Sequence, residues 1–265
     1  MEDFQVLFPK RIIVCKEPVN VKRMENITYH TVNDVEYHCD IYLPDEIQGN
    51  KKLPVVFMVH GEAPVPGVKD MGEYISTGEF IASKGIAAVT FNHRMLNTGS
   101  TITEVLDDIA EVRDFIKSGL NRFNIDTTRS CVWSLSSGMP FGMCNALNFK
   151  PEDVKCIVGQ YGFGDFASLL NLFPERKVTG EVIPEIFTGS FSTPMMLIRA
   201  GLDFKFFQES MDRFIMKCFE LNAELDVYNH SAGHHAFDIT DDNPRSHEML
   251  YKTLQFIQKH LLEDN

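Results

Sequence analysis

The run Val55-Val56-Phe57-Met58-Val59 is short, unbroken and wholly apolar, the pattern of a strand covered on both faces, as the strands of a parallel sheet are. A strand of that kind needs helices above and below it, and the sequence that follows supplies them by alternation. A helix is expected over 72–83, a strand over 86–91, a helix over 104–117, a strand over 130–133, a helix running through Leu147 and a strand over 155–160. A strand over 195–198, a helix over 207–221, a strand over 224–228 and a helix over 246–262 complete the series. Parallel neighbours must be joined by crossovers, so the alternation predicts an α/β fold with a mostly parallel central sheet and helices on both faces. Ahead of it, 27–32 and 35–42 read as two strands about the turn Asn33-Asp34, closed by Pro44, which gives the sheet an antiparallel opening.

A chain of 265 residues with nothing resembling a linker is expected to form one domain over 1–265. The stretch 162–193 has no clear period, carries Pro174, Pro184 and several phenylalanines, and is read as a small lid or a surface excursion. The formal charge of 25 − 37 = −12 opposes nucleic acid and anionic membrane surfaces as partners. No glycine-rich phosphate loop, dinucleotide fingerprint or basic cluster is present, so the expected partner is a small neutral molecule and no cofactor is expected. Six scattered cysteines with no C-x-x-C pair suit a reducing compartment. The N-terminus lacks the basic start and apolar core of a signal peptide, and no run approaches the length of a membrane span, so a cytoplasmic protein is expected; a homodimer is compatible with the sequence. Asn26-Ile27-Thr28 matches a glycosylation acceptor, which matters only for a secreted chain.

Ligands of such sheets bind beyond the carboxyl ends of the strands, and one of those ends carries a nucleophile's pattern. Cys131-Val132-Trp133-Ser134-Leu135-Ser136-Ser137-Gly138 reads as a buried strand entering a sharp turn with a serine at its tip. A serine on such an elbow needs small residues two positions before and after it, where backbones approach closely. Ser134 and Gly138 meet that need for Ser136, whereas centring on Ser137 puts Leu135 and Met139 at the crowded positions and centring on Ser134 puts Val132 at one.

Acyl transfer by a serine requires a base to take its proton and a carboxylate to orient that base. The strand ending at Ile198-Arg199 leads to Asp203, and the strand ending near Tyr228 leads to Asn229-His230-Ser231-Ala232-Gly233-His234-His235-Ala236-Phe237, which gives the order serine, acid, histidine. Asp203 is also placed to cap the helix that follows, and Ser136 is also compatible with an ordinary turn. His230, His234 and His235 could suggest a metal site, but the segment reads as a loop with no clearly paired acidic or thiol ligand, so none is expected. Asp238, Asp241 and Asp242 read as a solvated acidic loop.

The chain resembles the α/β-hydrolases, close in style to the dienelactone-hydrolase and small carboxylesterase or acetyl-xylan-esterase-like branches. The resemblance rests on the strand followed by His60-Gly61, Asp107-Asp108, the lead-in Asn124-Ile125-Asp126, the elbow, Gly201-Leu202-Asp203 and His235-Ala236-Phe237, and it covers nearly the whole chain. In the family the last motif is commonly His-Gly-Phe, so the resemblance implies His235 rather than His234 as the base. Two features depart from the pattern: Ser134 stands at the first elbow glycine, and the nucleophile is serine where dienelactone hydrolases proper have cysteine.

On this reading the protein is a serine hydrolase of small carboxylic esters. The alternatives are a thioesterase, acyltransferase or peptidase with the same three residues, or a noncatalytic binding protein on the same fold. The oxyanion donors are expected to be the backbone N–H groups of Ser137 and of Glu62, in the loop His60-Gly61-Glu62-Ala63, with the Glu62 carboxylate turned away or held by a neighbour. Phe141, Tyr161, Phe163, Phe166 and Phe204 are candidates for an apolar substrate pocket, although aromatics in such folds are often core.

Overall fold

The computed structural model describes residues 4–47, 52–148, 153–174, 185–186 and 192–263. Among the described residues eight strands form one sheet: β1 (Val21–Val32), β2 (Val35–Pro44), β3 (Leu53–Val59), β4 (Ala87–Phe91), β5 (Ile125–Leu135), β6 (Val154–Gln160), β7 (Met195–Ala200) and β8 (Leu225–His230). Their order is β1-β2-β4-β3-β5-β6-β7-β8; β2 is antiparallel to both β1 and β4, and every later pairing is parallel. The helices are α1 (Phe4–Leu7), α2 (Gly72–Ala82), α3 (Ile102–Ser118), α4 (Leu120–Phe123), α5 (Met139–Asn148), α6 (Phe166–Leu170), α7 (Lys205–Glu220), α8 (Phe237–Thr240) and α9 (Pro244–Leu262). The central sheet is mostly parallel with helices on both faces, the α/β-hydrolase arrangement.

The alternation of strand side chains explains the two cores. Leu53, Val55, Phe57 and Val59 of β3 enter the layer with Val105, Ile109, Val112 and Ile116 of α3, Met139 and Met143 of α5, and Met211 and Phe214 of α7. Val56 and Met58 enter the opposite layer, with Tyr74 and Ile81 of α2 and Met249, Leu250 and Ile257 of α9. A strand apolar at every position is thus buried on both sides, each such side chain stabilising the fold by about 1.5–3 kcal/mol.

Several element ends carry their own causes. Asn33 and Asp34 both take positive φ, 49° and 63°, as a two-residue hairpin turn with strand-matching twist demands. Helix α3 starts two residues earlier than the hydrophobic pattern suggests, because Thr101 and Glu104 close a capping box. Helix α9 likewise starts at Pro244, with the Asn243 side chain accepting from the N–H groups of Arg245 and Ser246. Strand β5 is longer than expected, since Ile125 already pairs with Leu53 before a register shift at the pairing of Val55 with Ser130. Of the stretch read as a lid, 175–184 and 187–191 lie outside the described residues; Phe166–Leu170 within it is helix α6, capped by Asp165.

Candidate active site

Strand β5 ends at Leu135, and Ser136 takes φ 54°. A non-glycine residue in the left-handed region costs roughly 1–2 kcal/mol, and here that conformation makes the sharp turn between strand and helix. Gly138 is required by contact: a Cβ there would stand 2.2 Å from the His60 carbonyl oxygen and 2.9 Å from that of Val59, so the turn packs directly on the end of β3.

Ser134 is accommodated from the helix side. A Cβ on Gly142 of α5 would fall 2.6 Å from the Ser134 Cβ and 2.8 Å from its Oγ, so the bulk added on the strand is matched by a side chain missing from the helix. The Ser134 hydroxyl donates to the Val158 carbonyl at 3.3 Å. Gly142→Ala is expected to destabilise the protein by about 1–3 kcal/mol despite alanine's helix propensity, and Ser134→Gly is expected to recover most of that loss. Urea unfolding of the two single variants and the double variant measures the coupling; strictly additive effects would refute the pairing.

The loops that follow β5, β7 and β8 bring Ser136, Asp203 and His235 together. Ser136 Oγ lies 2.8 Å from His235 Nε2, and His235 Nδ1 lies 3.0 and 2.9 Å from Asp203 Oδ1 and Oδ2. The Asp203 side chain is 2% exposed and also accepts the Phe204 N–H at 2.7 Å, so it is turned to the imidazole and does not cap α7. The acid and histidine loops are tied by Gly201 N–H donating to the His230 carbonyl and Leu202 N–H to that of Gly233, each at 2.8 Å. Gln208 of α7 donates to the carbonyls of Gly201 and Asp203. The Phe207 ring stacks on His235 at 4.4 Å, and Tyr161 meets it edge-on at 5.0 Å. This is the arrangement of a serine hydrolase that works through an acyl-enzyme.

The other two histidines diverge. His234 is exposed and bonds Asp241, whereas His230 is buried against Ser246 Oγ at 2.7 Å. Among the described residues no group of three or more histidine, cysteine or carboxylate side chains could hold a metal ion.

On the opposite side of Ser136, Gly61 lets the β3 loop touch the elbow: a Cβ there would meet Ser137 Oγ at 2.9 Å and Ser137 N at 3.2 Å. The Glu62 N–H faces the elbow but donates to Ser137 Oγ at 2.6 Å, a partner the sequence does not announce. The Glu62 carboxylate accepts the N–H groups of Leu96 and Asn97, both at 2.9 Å, at the start of a short helical turn. Behind this loop the rings of His60 and His93 stack at 3.7 Å, and burial pushes the pKa of both below the usual histidine range.

The aromatic candidates separate. Phe141, 1% exposed, packs against the buried Phe166, and Phe163 is fully buried against Phe207, so these three belong to the core and leave no surface for a ligand. Phe204 is half exposed, 6.4 Å from His235 and stacked on Phe206 at 5.5 Å. Tyr161 is buried, with φ 38°. Its hydroxyl donates to Asp238 Oδ1 at 2.8 Å, which corrects the expectation of a solvated acidic loop: Asp238 is 2% exposed, because α8 folds it inward beside Phe237.

Residues 39–187, more than half of the chain, match the family model described as BD-FAE. Comparison with curated proteins returns no match. Among solved structures the fold is similar to that of a bacterial heroin esterase, with TM-score 0.70, 15% identity, and 92% of this chain and 85% of that one covered. Thermogutta terrifontis esterase 2 with propionate bound gives TM-score 0.72, 14% identity, and 94% and 97% covered. Esterase B from Lactobacillus rhamnosis gives 0.69, 15%, and 92% and 87%. With the nucleophile elbow and the family match in agreement, the chain belongs to the BD-FAE family of the α/β-hydrolase superfamily.

Proposed function

We propose that the protein hydrolyses small carboxylic esters, with Ser136 as nucleophile, His235 as general base and then acid, and Asp203 as the group that orients His235. The observation that carries the reading is the continuous hydrogen-bonded path from Ser136 Oγ through both ring nitrogens of His235 to the buried Asp203 carboxylate. Ser136 Oγ attacks the acyl carbon as its proton passes to Nε2. That proton then goes to the leaving alcohol, and water deprotonated by the same nitrogen releases the acid.

The N–H groups of Ser137 and Glu62 are proposed as the oxyanion donors. The Ser137 hydroxyl that accepts from Glu62 must give way to the developing oxyanion, and Ser137→Ala removes that competitor. Ser137→Ala is therefore expected to keep labelling by a fluorophosphonate and to hold kcat/KM within about tenfold of wild type. Loss of labelling in Ser137→Ala, with Ser136→Ala still labelled, would reverse the assignment of the two serines.

The half-exposed Phe204 beside His235, with Phe206 stacked on it, supports an apolar group on the substrate, and the similarity of the fold to esterases supports ester chemistry. Matched p-nitrophenyl esters, acyl-thioesters and aminoacyl amides test the bond preference: the ester is expected to be cleaved fastest, and a clear thioester preference overturns the reading. The proposal keeps the chain as one cytoplasmic domain without nucleic-acid partners. The charge of −12 supports it, as do the free, buried state of all six cysteines and the finding that no helix among the described residues is long and apolar enough to cross a membrane. Light scattering reads whether two copies pair.

A further inference from the structure

Behind the imidazole of His235 lies a pair of carboxyl groups that the triad does not use. Glu73 of α2 is 6% exposed and Asp238 of α8 is 2% exposed, and both carboxyl groups meet at one tyrosine hydroxyl. Tyr161, at the tip of β6, donates its hydroxyl to Asp238 Oδ1 at 2.8 Å and lies 3.2 Å from Glu73 Oε1. The same tyrosine ring stands edge-on to His235 at 5.0 Å, so one side chain spans from the carboxyl pair to the base. Gly162, the next residue, packs on the Ser136 carbonyl so closely that a Cβ would approach to 2.4 Å, which fixes this loop against the elbow.

Two carboxylates sharing a dry site cannot both ionise. Burial raises the pKa of Glu73 well above the usual carboxylate range, helped by the charge of Asp238; burial also raises Asp238, to about 6. The two carboxyl groups thus retain one proton between them and carry a single negative charge, stabilised by the Tyr161 hydroxyl. The other titratable groups facing the pair are Tyr74 of α2 and His235. Besides Tyr161 and Asp238, His235 faces Ser136 and Asp203.

We propose that Glu73, Asp238 and Tyr161 are positioning residues that place one buried negative charge behind His235 and stabilise its ring when it becomes an imidazolium during attack by Ser136. No group leaves the pair in this step: the proton moves from Ser136 Oγ to His235 Nε2, and the fixed charge of the carboxyl pair favours the ion so formed. The proposal rests on the triad reading given above.

Two variants test it: the double variant Glu73→Gln with Asp238→Asn, and Tyr161→Phe, each assayed for kcat and KM on p-nitrophenyl acetate from pH 5 to 9. The double variant loses the charge; its acid limb of kcat/KM is expected to move to lower pH by about half a unit, and kcat to fall about three- to tenfold with KM little changed. Tyr161→Phe keeps the packing ring and removes the hydroxyl, so a smaller shift in the same direction is expected even if the double variant fails to fold.

Stability against pH reads the shared proton without any turnover. Above the ordinary carboxylate range near pH 4 the unfolded chain releases protons that the folded pair retains, so wild type loses stability relative to the double variant as pH rises towards about 6 and beyond. Acid limbs that coincide for wild type, Tyr161→Phe and the double variant overturn the proposal while leaving the triad intact. A wild type with no esterase activity and no fluorophosphonate labelling overturns both.

Discussion

Replacing Ser136 by alanine is expected to lower kcat for p-nitrophenyl acetate by about 10⁵- to 10⁶-fold and to abolish fluorophosphonate labelling, with the fold kept. The size of the effect follows from the geometry. Ser136 Oγ is the atom within 2.8 Å of His235 Nε2, and Ser137 Oγ is occupied by the Glu62 N–H at 2.6 Å, so the neighbouring serine cannot take over without turning both away. What survives is the weak catalysis that oxyanion donors and binding give to attack by water. Alanine adopts the 54° φ of this position at a cost close to that of serine, so thermal unfolding is expected to shift by no more than about 1 kcal/mol. Equal labelling of wild type and Ser136→Ala would remove Ser136 from the role of nucleophile.

Much of this site is legible in the sequence because its causes are local. The apolar run of β3 and the small residues about Ser136 each follow from what a single strand or turn requires, and the order of Ser136, Asp203 and His235 from the succession of strand ends along the chain. The Thr101–Glu104 capping box and the Asn243-Pro244 helix start are equally local signals, and they set helix ends that the hydrophobic pattern alone places too late. Ala236 belongs with them. Its φ of 57° supplies the physical reason that the resembling family commonly carries glycine there.

The remainder depends on contacts between distant segments. Gly142 compensates for Ser134 only once α5 lies on β5, and nothing in an eight-residue spacing announces it. Asp238 stands beside Asp241 and Asp242 in a segment that reads as solvated, yet one turn of α8 carries its carboxyl to Tyr161 and Glu73, the latter 165 positions away in sequence (238 − 73). Phe207, which stacks on His235, has the spacing of an ordinary helix core residue and fills that role too. Residues that support a triad from behind are therefore the hardest to find: their chemistry is set by burial, and burial is a property of the assembled sheet.

Asp203→Asn is the second substitution for which a very large effect is expected, on the order of 10⁴-fold in kcat, and the cause is a tautomer. Asp203 Oδ1 accepts the Phe204 N–H at 2.7 Å as well as facing His235 Nδ1. An asparagine keeps its carbonyl oxygen on that N–H, which leaves its NH₂ group at the Oδ2 position, 2.9 Å from His235 Nδ1. Nδ1 must then accept, the ring proton moves to Nε2, and the nitrogen facing Ser136 Oγ at 2.8 Å becomes a donor unable to take the serine proton. Packing is nearly unchanged, because the two side chains have the same shape and the Gln208 bonds go to backbone carbonyls. Unfolding is therefore expected to change far less than turnover. Nitrogen NMR of the imidazole reads the tautomer directly, and a His235 ring that keeps its proton on Nδ1 while activity still falls 10⁴-fold would refute this account and leave the lost charge as the cause.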